Sequence, residues 1–352
     1  MFLLVRGTTK CLRTFAHTAF GFVGVIFTAT FLLNYYGYLD RLGELDFSTF
    51  QYPLEIDVPK QVQLLLAHQM PEHLPIEDYG WYPLLLGNVT KCKATSPYLV
   101  LMIKSSVNNG ENRNAIRQTW GLDAGVTLNG RAYNVTRFFA IGATRDSSHD
   151  AKLTSALKQE SELHNDLVQY AFIDAYMNNT IKMMLEMRWV IEHCGGAQFI
   201  LFADDDYYIN MPALLKFLTE MPQNQLASLY AGHYIFPRPI RKRNSKWHVS
   251  LASYPYNRYP PHINAGAFLM SNFSARTFYH ASKFVRFLPF DDIYLGITAY
   301  KLGIRPQNLP GFKYDWALRG ADYLKGKEPF LAAHGFDDLK LMKEAFAKYG
   351  KL

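Results

Sequence analysis

Asp204, Asp205 and Asp206 stand in a row at the end of an apolar run, in the stretch FILFADDDYYIN. Adjacent carboxylates repel, so a cation must answer them wherever they leave bulk water. Oxygen ligands at the end of a strand suit a hard divalent ion, Mn2+ or Mg2+. An EF-hand loop is excluded, because counting from Asp204 puts Ile209 and Leu215 where Gly and Glu are required. The plainer alternative is an acidic loop that caps the helix expected from MPALLKFL. A second acidic pair, Asp291 and Asp292, heads the helical stretch FDDIYLGITAYKLGI. One carboxylate is enough for a cap, and a second at that place can act as a general base. In ENRNAIRQTWG, Arg113 and Arg117 share one helix face near Trp120. Two guanidiniums there suit a diphosphate, although a solvated basic stripe reads the same. The stretch SKWHVSLASYPYNRYPPHINAGAFLMS combines rings, prolines and the small turn Ala265-Gly266-Ala267. It is either a sugar-facing wall or a packed loop. His334, in AAHGFDD, is a lone histidine and structural by default.

These residues need a scaffold, and the pattern from Tyr98 onward supplies one. The runs YLVLMIKSS, RFFAIGAT, LVQYAFID and QFILFA read as buried strands. Between them lie helix-like stretches, including NTIKMMLEMRWVIEHC with Ile181, Met184, Leu185 and Trp189 on one face. Strands alternating with helices predict an α/β domain with a mostly parallel sheet. Ligands of such sheets bind beyond the carboxyl ends of the strands, which is where the three aspartates fall.

The N-terminus carries a different signal. Residues 15–33, FAHTAFGFVGVIFTATFLL, contain no Asp, Glu, Lys or Arg and are just long enough to span a bilayer. Arg6, Lys10 and Arg13 precede the run and Asp40 is the first charge after it, which predicts a cytosolic N-terminus and a retained signal anchor. The expected organisation is a cytosolic tail (1–14), a transmembrane anchor (15–33), a stem (34–96) and a luminal catalytic domain (97–352). Sequons at Asn88, Asn134, Asn178 and Asn272 agree with a luminal body as glycosylation sites. Cys92 and Cys194 would then lie where thiols oxidise; their spacing alone leaves a bridge open. The net charge of +7 is a mild excess, and the densest basic run, RKRNSK at 241–246, is too short for a nucleic-acid face. That run reads as a solvated loop or as a surface for acidic substrate or lipid head groups.

In this order, RNAIRQTWG, FADDDYYIN, YPYNRYPPHINAGAFLMS and FDDIYLGITAYKLGI resemble the β-1,3-glycosyltransferases of the galactosyltransferase family. The resemblance covers most of the chain from about Tyr98 to Leu341. It implies a GT-A-type nucleotide-sugar fold in a single-pass type II protein of the Golgi membrane. It further implies an inverting transferase, with Asp206 and His334 as metal ligands, Asp204 and Asp205 near the donor's ribose and uracil, and Asp292 as the base. Arg113, Arg117 and Gly266 match positions on the donor side. Within the family, AGHYIFPRP, SKWHVSLASYP and FDDIYLG resemble members that move N-acetylglucosamine from UDP-GlcNAc to a mannose-containing glycosphingolipid. A UDP-galactose transferase and a catalytically inactive sugar-binding relative are the alternatives. Where the family commonly has Gly-Gly-Gly-Tyr, this chain has Ala265-Gly266-Ala267-Phe268, and the added methyls are expected beside the donor pocket. Asp291 stands where the family usually has Glu.

Overall fold

The computed structural model describes residues 22–350 apart from 52–55, 145–149, 223–224, 226–227, 316–317 and 327–329. The chain divides into two compact units, Met1–Tyr52 with Pro237–Tyr259, and Pro53–Phe236 with Pro260–Leu352.

The second unit holds the sheet. Its strands are β1 (Leu84–Leu86), β2 (Leu99–Lys104), β3 (Gly125–Leu128), β4 (Arg131–Ala143), β5 (Leu167–Ile173), β6 (Phe199–Asp204), β7 (Tyr207–Ile209), β8 (Tyr230–Ile235), β9 (His262–Ser271), β10 (Gln307–Asn308), β11 (Phe312–Lys313) and β12 (Ala332–His334). The large sheet runs β1-β5-β4-β2-β6-β9-β8-β10, with β3 paired to β4. Its centre, β5-β4-β2-β6, is parallel, and β9 lies antiparallel between β6 and β8. The expected α/β architecture is therefore present, as a mixed sheet. Every residue of β2 is buried, as its unbroken apolar run requires of a central strand covered on both faces.

Helix Asn179–His193 is apolar on more than the one face its periodicity suggests. Met183, Met184, Leu185, Met187, Trp189 and Val190 are all buried, and so are its Lys182 and Glu186. Two polar residues buried in such a helix mark the side that faces the aspartates.

A small second sheet, β11-β12-β7, carries the C-terminal part of the chain back to the crevice. Its antiparallel β12–β7 ladder sets His334 opposite Tyr207, one residue beyond Asp206.

Residues 56–96, expected within a stem, are packed into this unit. Val58 and Val62 of helix Val58–Leu66 are buried with Ala281 and Phe284, and β1 extends the sheet through β5. Cys92 and Cys194 form a disulfide across 102 residues of sequence.

The first unit is built around a buried guanidinium. Arg241 donates from Nε to Glu44 Oε1 at 2.9 Å, from Nη1 to Val249 O and from Nη2 to Tyr254 O and Tyr256 O. Gly37 lies against it at φ +77°, where a Cβ would come within 2.4 Å of Arg241 Cβ. Arg243 reaches Asn34 and Asp40. The basic run is thus neither a simple solvated loop nor wholly available to a partner, because its first residue is structural. Tyr254 and Tyr256 pack on each other and on Phe50, so this part of the expected sugar-facing wall is spent on packing. Helix 22–35 exposes Phe22, Val25, Phe27 and Phe31. No helix among the described residues is long and apolar enough to cross a membrane; the expected anchor, 15–33, lies partly outside them.

The disulfide closes a long loop, so Cys92→Ala/Cys194→Ala should cost about 2–5 kcal/mol of stability. A chemical-denaturation series on the purified protein measures this, and an unchanged midpoint would show that the crosslink constrains little.

Candidate active site

β2 and β6 are parallel neighbours in a register that sets Lys104 beside Asp204. Their last residues open together into the crevice. Lys104 Nζ lies 2.9 Å from Asp204 Oδ1 and 2.7 Å from Asp291 Oδ2, and it donates to Ala265 O at 3.0 Å. The cation that answers the first of the three aspartates is thus a lysine of the chain itself. Burial alone would depress this ammonium, but Asp204, Asp291 and Glu186 outweigh it and hold its pKa well above the ordinary value. Burial pushes Asp204 up to about 7, against the pull of Lys104, with Asp206 and Asp291 adding to the rise.

Each of the other two aspartates has its own partners. Asp205 Oδ2 accepts from Ser105 Oγ at 2.7 Å and from Asn109 Nδ2 at 2.9 Å. Asp206 Oδ2 lies 3.2 Å from His334 Nε2, and its buried Oδ1 has no hydrogen-bond partner among the described residues. Its hydrogen bond to Asp206 is the main cause that raises the His334 pKa. An unpartnered carboxylate oxygen beside an imidazole suits a divalent cation that takes both oxygen and nitrogen, as Mn2+ does. The described residues contain no group of three or more His, Cys, Asp or Glu that could hold a metal alone. Further ligands would have to come from substrate or water.

Asp291 and Asp292 begin helix Asp291–Leu302 and divide their duties. Asp291 turns to Lys104, and its Oδ1 accepts the Asp292 N–H at 3.2 Å. Asp292 keeps a quarter of its side-chain surface and lies 3.9 Å from the buried His262 Nε2, whose Nδ1 is 2.8 Å from Pro260 O. Burial raises the pKa of Asp292 against the pull of His262. A carboxylate that is accessible, basic for its type and backed by an imidazole is suited to accept a proton.

Two expectations are corrected here. Arg113 is fully buried, forked onto both oxygens of Glu160 at 2.8 and 2.7 Å and bonded to Ser105 Oγ. Arg117 is spent on Glu160 and on the buried Asp166, which Arg137 also holds. Both guanidiniums are held by groups of the chain, Arg113 through Nε, Nη1 and Nη2 and Arg117 through Nε and Nη2. Through Ser105, however, Arg113 supports Asp205. Nor are the methyls of Ala265 and Ala267 on the crevice side: both are buried, and Ala267 belongs to the main core. The half-exposed face of β9 is formed by Asn264 and Gly266. A Cβ at Gly266 would come within 2.4 Å of Tyr207 Oη, and Tyr207 packs on His334.

An aromatic wall does exist, in another stretch of sequence. A cavity of about 570 Å3 is lined by Tyr234, Phe312, Tyr314, Tyr323 and Phe330 with polar groups such as His233. Tyr314 joins it to the acidic site, its ring centre 5.5 Å from that of His334. Sequence reasoning missed Lys104, Ser105, Asn109, His262 and this wall. A lysine closing an otherwise apolar strand was the one available signal.

The sequons differ in setting. Asn88 lies in a turn with Val89 and Thr90 exposed, its Oδ1 accepting from Thr90. The amide nitrogens of Asn134, Asn178 and Asn272 donate to Thr95 O, Ile173 O and Cys194 O.

An α/β sheet with an acidic cluster at its strand ends and a separate accessible carboxylate can seat a polar substrate and take a proton from it. The chain belongs to the galactosyltransferase family, whose model matches residues 111–310. It is 38% identical to the Drosophila melanogaster protein named beta-1,3-galactosyltransferase brn, over 87% of this chain and 89% of that one. It is 33% identical to a Danio rerio lactosylceramide 1,3-N-acetyl-beta-D-glucosaminyltransferase A, over 65% of this chain and 61% of that one. With mouse beta-1,3-galactosyltransferase 5 the identity is 36%, over 62% and 68%.

Because Gly266 is closed by Tyr207, Gly266→Ala should cost about 1–3 kcal/mol of stability through overpacking. It should also displace Tyr207 from His334. Thermal unfolding reads the first effect; an unchanged melting temperature would mean that Tyr207 moves without cost.

Proposed function

We propose that the chain is an inverting β-1,3-N-acetylglucosaminyltransferase that moves GlcNAc from UDP-GlcNAc to a mannose-containing glycosphingolipid. The observation that carries the reading is the division of labour between Asp206 with His334 on one side and Asp292 on the other. The acceptor's 3-hydroxyl oxygen attacks the anomeric carbon from the face opposite UDP. Its proton passes to an Asp292 carboxylate oxygen, and the anomeric C–O bond breaks with its electron pair leaving on the diphosphate. One displacement turns an α-linked donor into a β-linked product. Asp206 and His334 would hold Mn2+ or Mg2+, which when bound supplies charge to the diphosphate as a Lewis acid. Asp204 and Asp205 would meet the ribose and uracil, and Gly266 would serve the donor side by making room for Tyr207 beside His334. The aromatic cavity beside Tyr314 suits the acceptor saccharide, whose apolar ring faces stack on such walls. Galactose is the second reading for the donor, favoured by the name of the fruit-fly relative.

The apolar exposed face of helix 22–35, continuous with the charge-free run before it, supports a membrane anchor. We place the catalytic body in the Golgi lumen and the N-terminus in the cytosol, with the four sequons on the glycosylated side. An anchored enzyme and a lipid-borne acceptor then share one surface.

The test offers UDP-GlcNAc and UDP-galactose separately, with Mn2+ and a β-mannoside acceptor. GlcNAc transfer supports the reading, and galactose transfer alone replaces the donor. Asp292→Asn should lower kcat by about 10²–10⁴-fold. A binding protein would show no turnover and no dependence on Asp292. As the base must be unprotonated, kcat/KM should fall as pH drops through the raised pKa of Asp292, so the acid limb should lie above the ordinary 3.8. A pH–rate profile that stays flat down to that value would remove Asp292 as the base.

A further inference from the structure

We propose that Lys104 is a positioning residue, whose ammonium ties the nucleotide-side carboxylate of Asp204 to the helix start that carries Asp292. The inference rests on the transferase reading. An ammonium has three N–H donors and no acceptor. Those of Lys104 go to three different elements: Asp204 Oδ1 on β6 at 2.9 Å, Asp291 Oδ2 on helix Asp291–Leu302 at 2.7 Å, and Ala265 O on β9 at 3.0 Å. The side chain is only 7% exposed, so these partners take the place of water.

Asp291 passes the constraint on, because its other oxygen accepts the peptide N–H of Asp292. The path from donor side to base is therefore Asp204, Lys104, Asp291 and the Asp292 backbone. The neighbouring cation does not duplicate it: Lys182 is bonded to Asp174 at 2.6 Å and to Ser105 O at 2.7 Å. Glu186 lies buried beneath with neither carboxyl oxygen hydrogen-bonded among the described residues, and burial raises its pKa well above the ordinary value. With no hydrogen bond to Glu186, the three donors of Lys104 stay on Asp204, Asp291 and Ala265 O. Arginine does not substitute, since its planar fork cannot aim at three acceptors arranged around one nitrogen.

The test compares wild type, Lys104→Met, Asp291→Asn and the double variant in the full chain. It reads kcat and donor KM for transfer, and UDP affinity by calorimetry without metal. Lys104→Met should lower kcat about 100-fold and weaken UDP about tenfold, since Asp204 and Asp291 are left to repel. Asp291→Asn should lower kcat about tenfold and leave UDP affinity within about twofold. The double variant should be no worse than Lys104→Met, because both changes break one connected unit. Losses that multiply to about 1,000-fold, or a Lys104→Met enzyme within about threefold of wild type in both readouts, would overturn the proposal. If Lys104→Met gives no cooperative unfolding, Asp291→Asn decides: a lower kcat at unchanged UDP affinity supports the tie, and an unchanged kcat sinks it. A wild type that transfers neither sugar defeats the transferase reading instead, and the UDP affinities of wild type and Lys104→Met then test the tie alone.

Discussion

A lysine ammonium withdrawn from water must recover from its neighbours what hydration gave it. In this protein the recovery organises the crevice. Two parallel strands end at the same level, one in Lys104 and the other in Asp204. The same ammonium also takes a second carboxylate, Asp291, from the start of a helix. Lys104 and Asp291 are withdrawn from water, where an isolated charge costs several kcal/mol even after relaxation, while Asp204 stays partly open. Together they fix where the aspartate row begins and where the accessible Asp292 is presented.

Beside this centre lies a second group of charges, joined to the aspartate row only through Ser105 among the contacts described. Arg113, Arg117 and Arg137 are consumed by Glu160 and Asp166 on the other side of β2, with two of the guanidiniums also lying over the Phe139 ring. Buried ion pairs of this kind add little net stability relative to apolar packing but are costly to break. Their visible effect is on Asp205, which Arg113 reaches through Ser105. Asp206 differs from its neighbours in having a buried oxygen with no partner among the described residues.

The sheet was readable because a strand buried on both faces must be apolar throughout, and YLVLMI and FILFA have no other plausible home. The aspartate row was readable for the same reason, as a polar break at the end of such a run. What the linear order hides is register. Nothing near Lys104 says that Asp204 will stand beside it, and only the β12–β7 ladder brings His334 to Asp206 across 128 residues. Helical spacing put Arg113 and Arg117 on one face but could not name the acids opposite, 47 and 49 residues on. Ring-rich composition predicted an aromatic surface without telling packing from binding. The rings at 254 and 256 close on their own unit, and Phe312, Tyr314, Tyr323 and Phe330 line the cavity.

The clasp around Arg241 also bears on how the protein can be divided. Glu44, the carboxylate that neutralises this buried guanidinium, belongs to the stretch that follows the apolar N-terminal run. A form cut after that stretch would keep the cation and its three carbonyl acceptors but discard its counterion. The segment after the apolar run is therefore not a linker to be trimmed at convenience: through Glu44 and Gly37 it completes the interior of a folded unit.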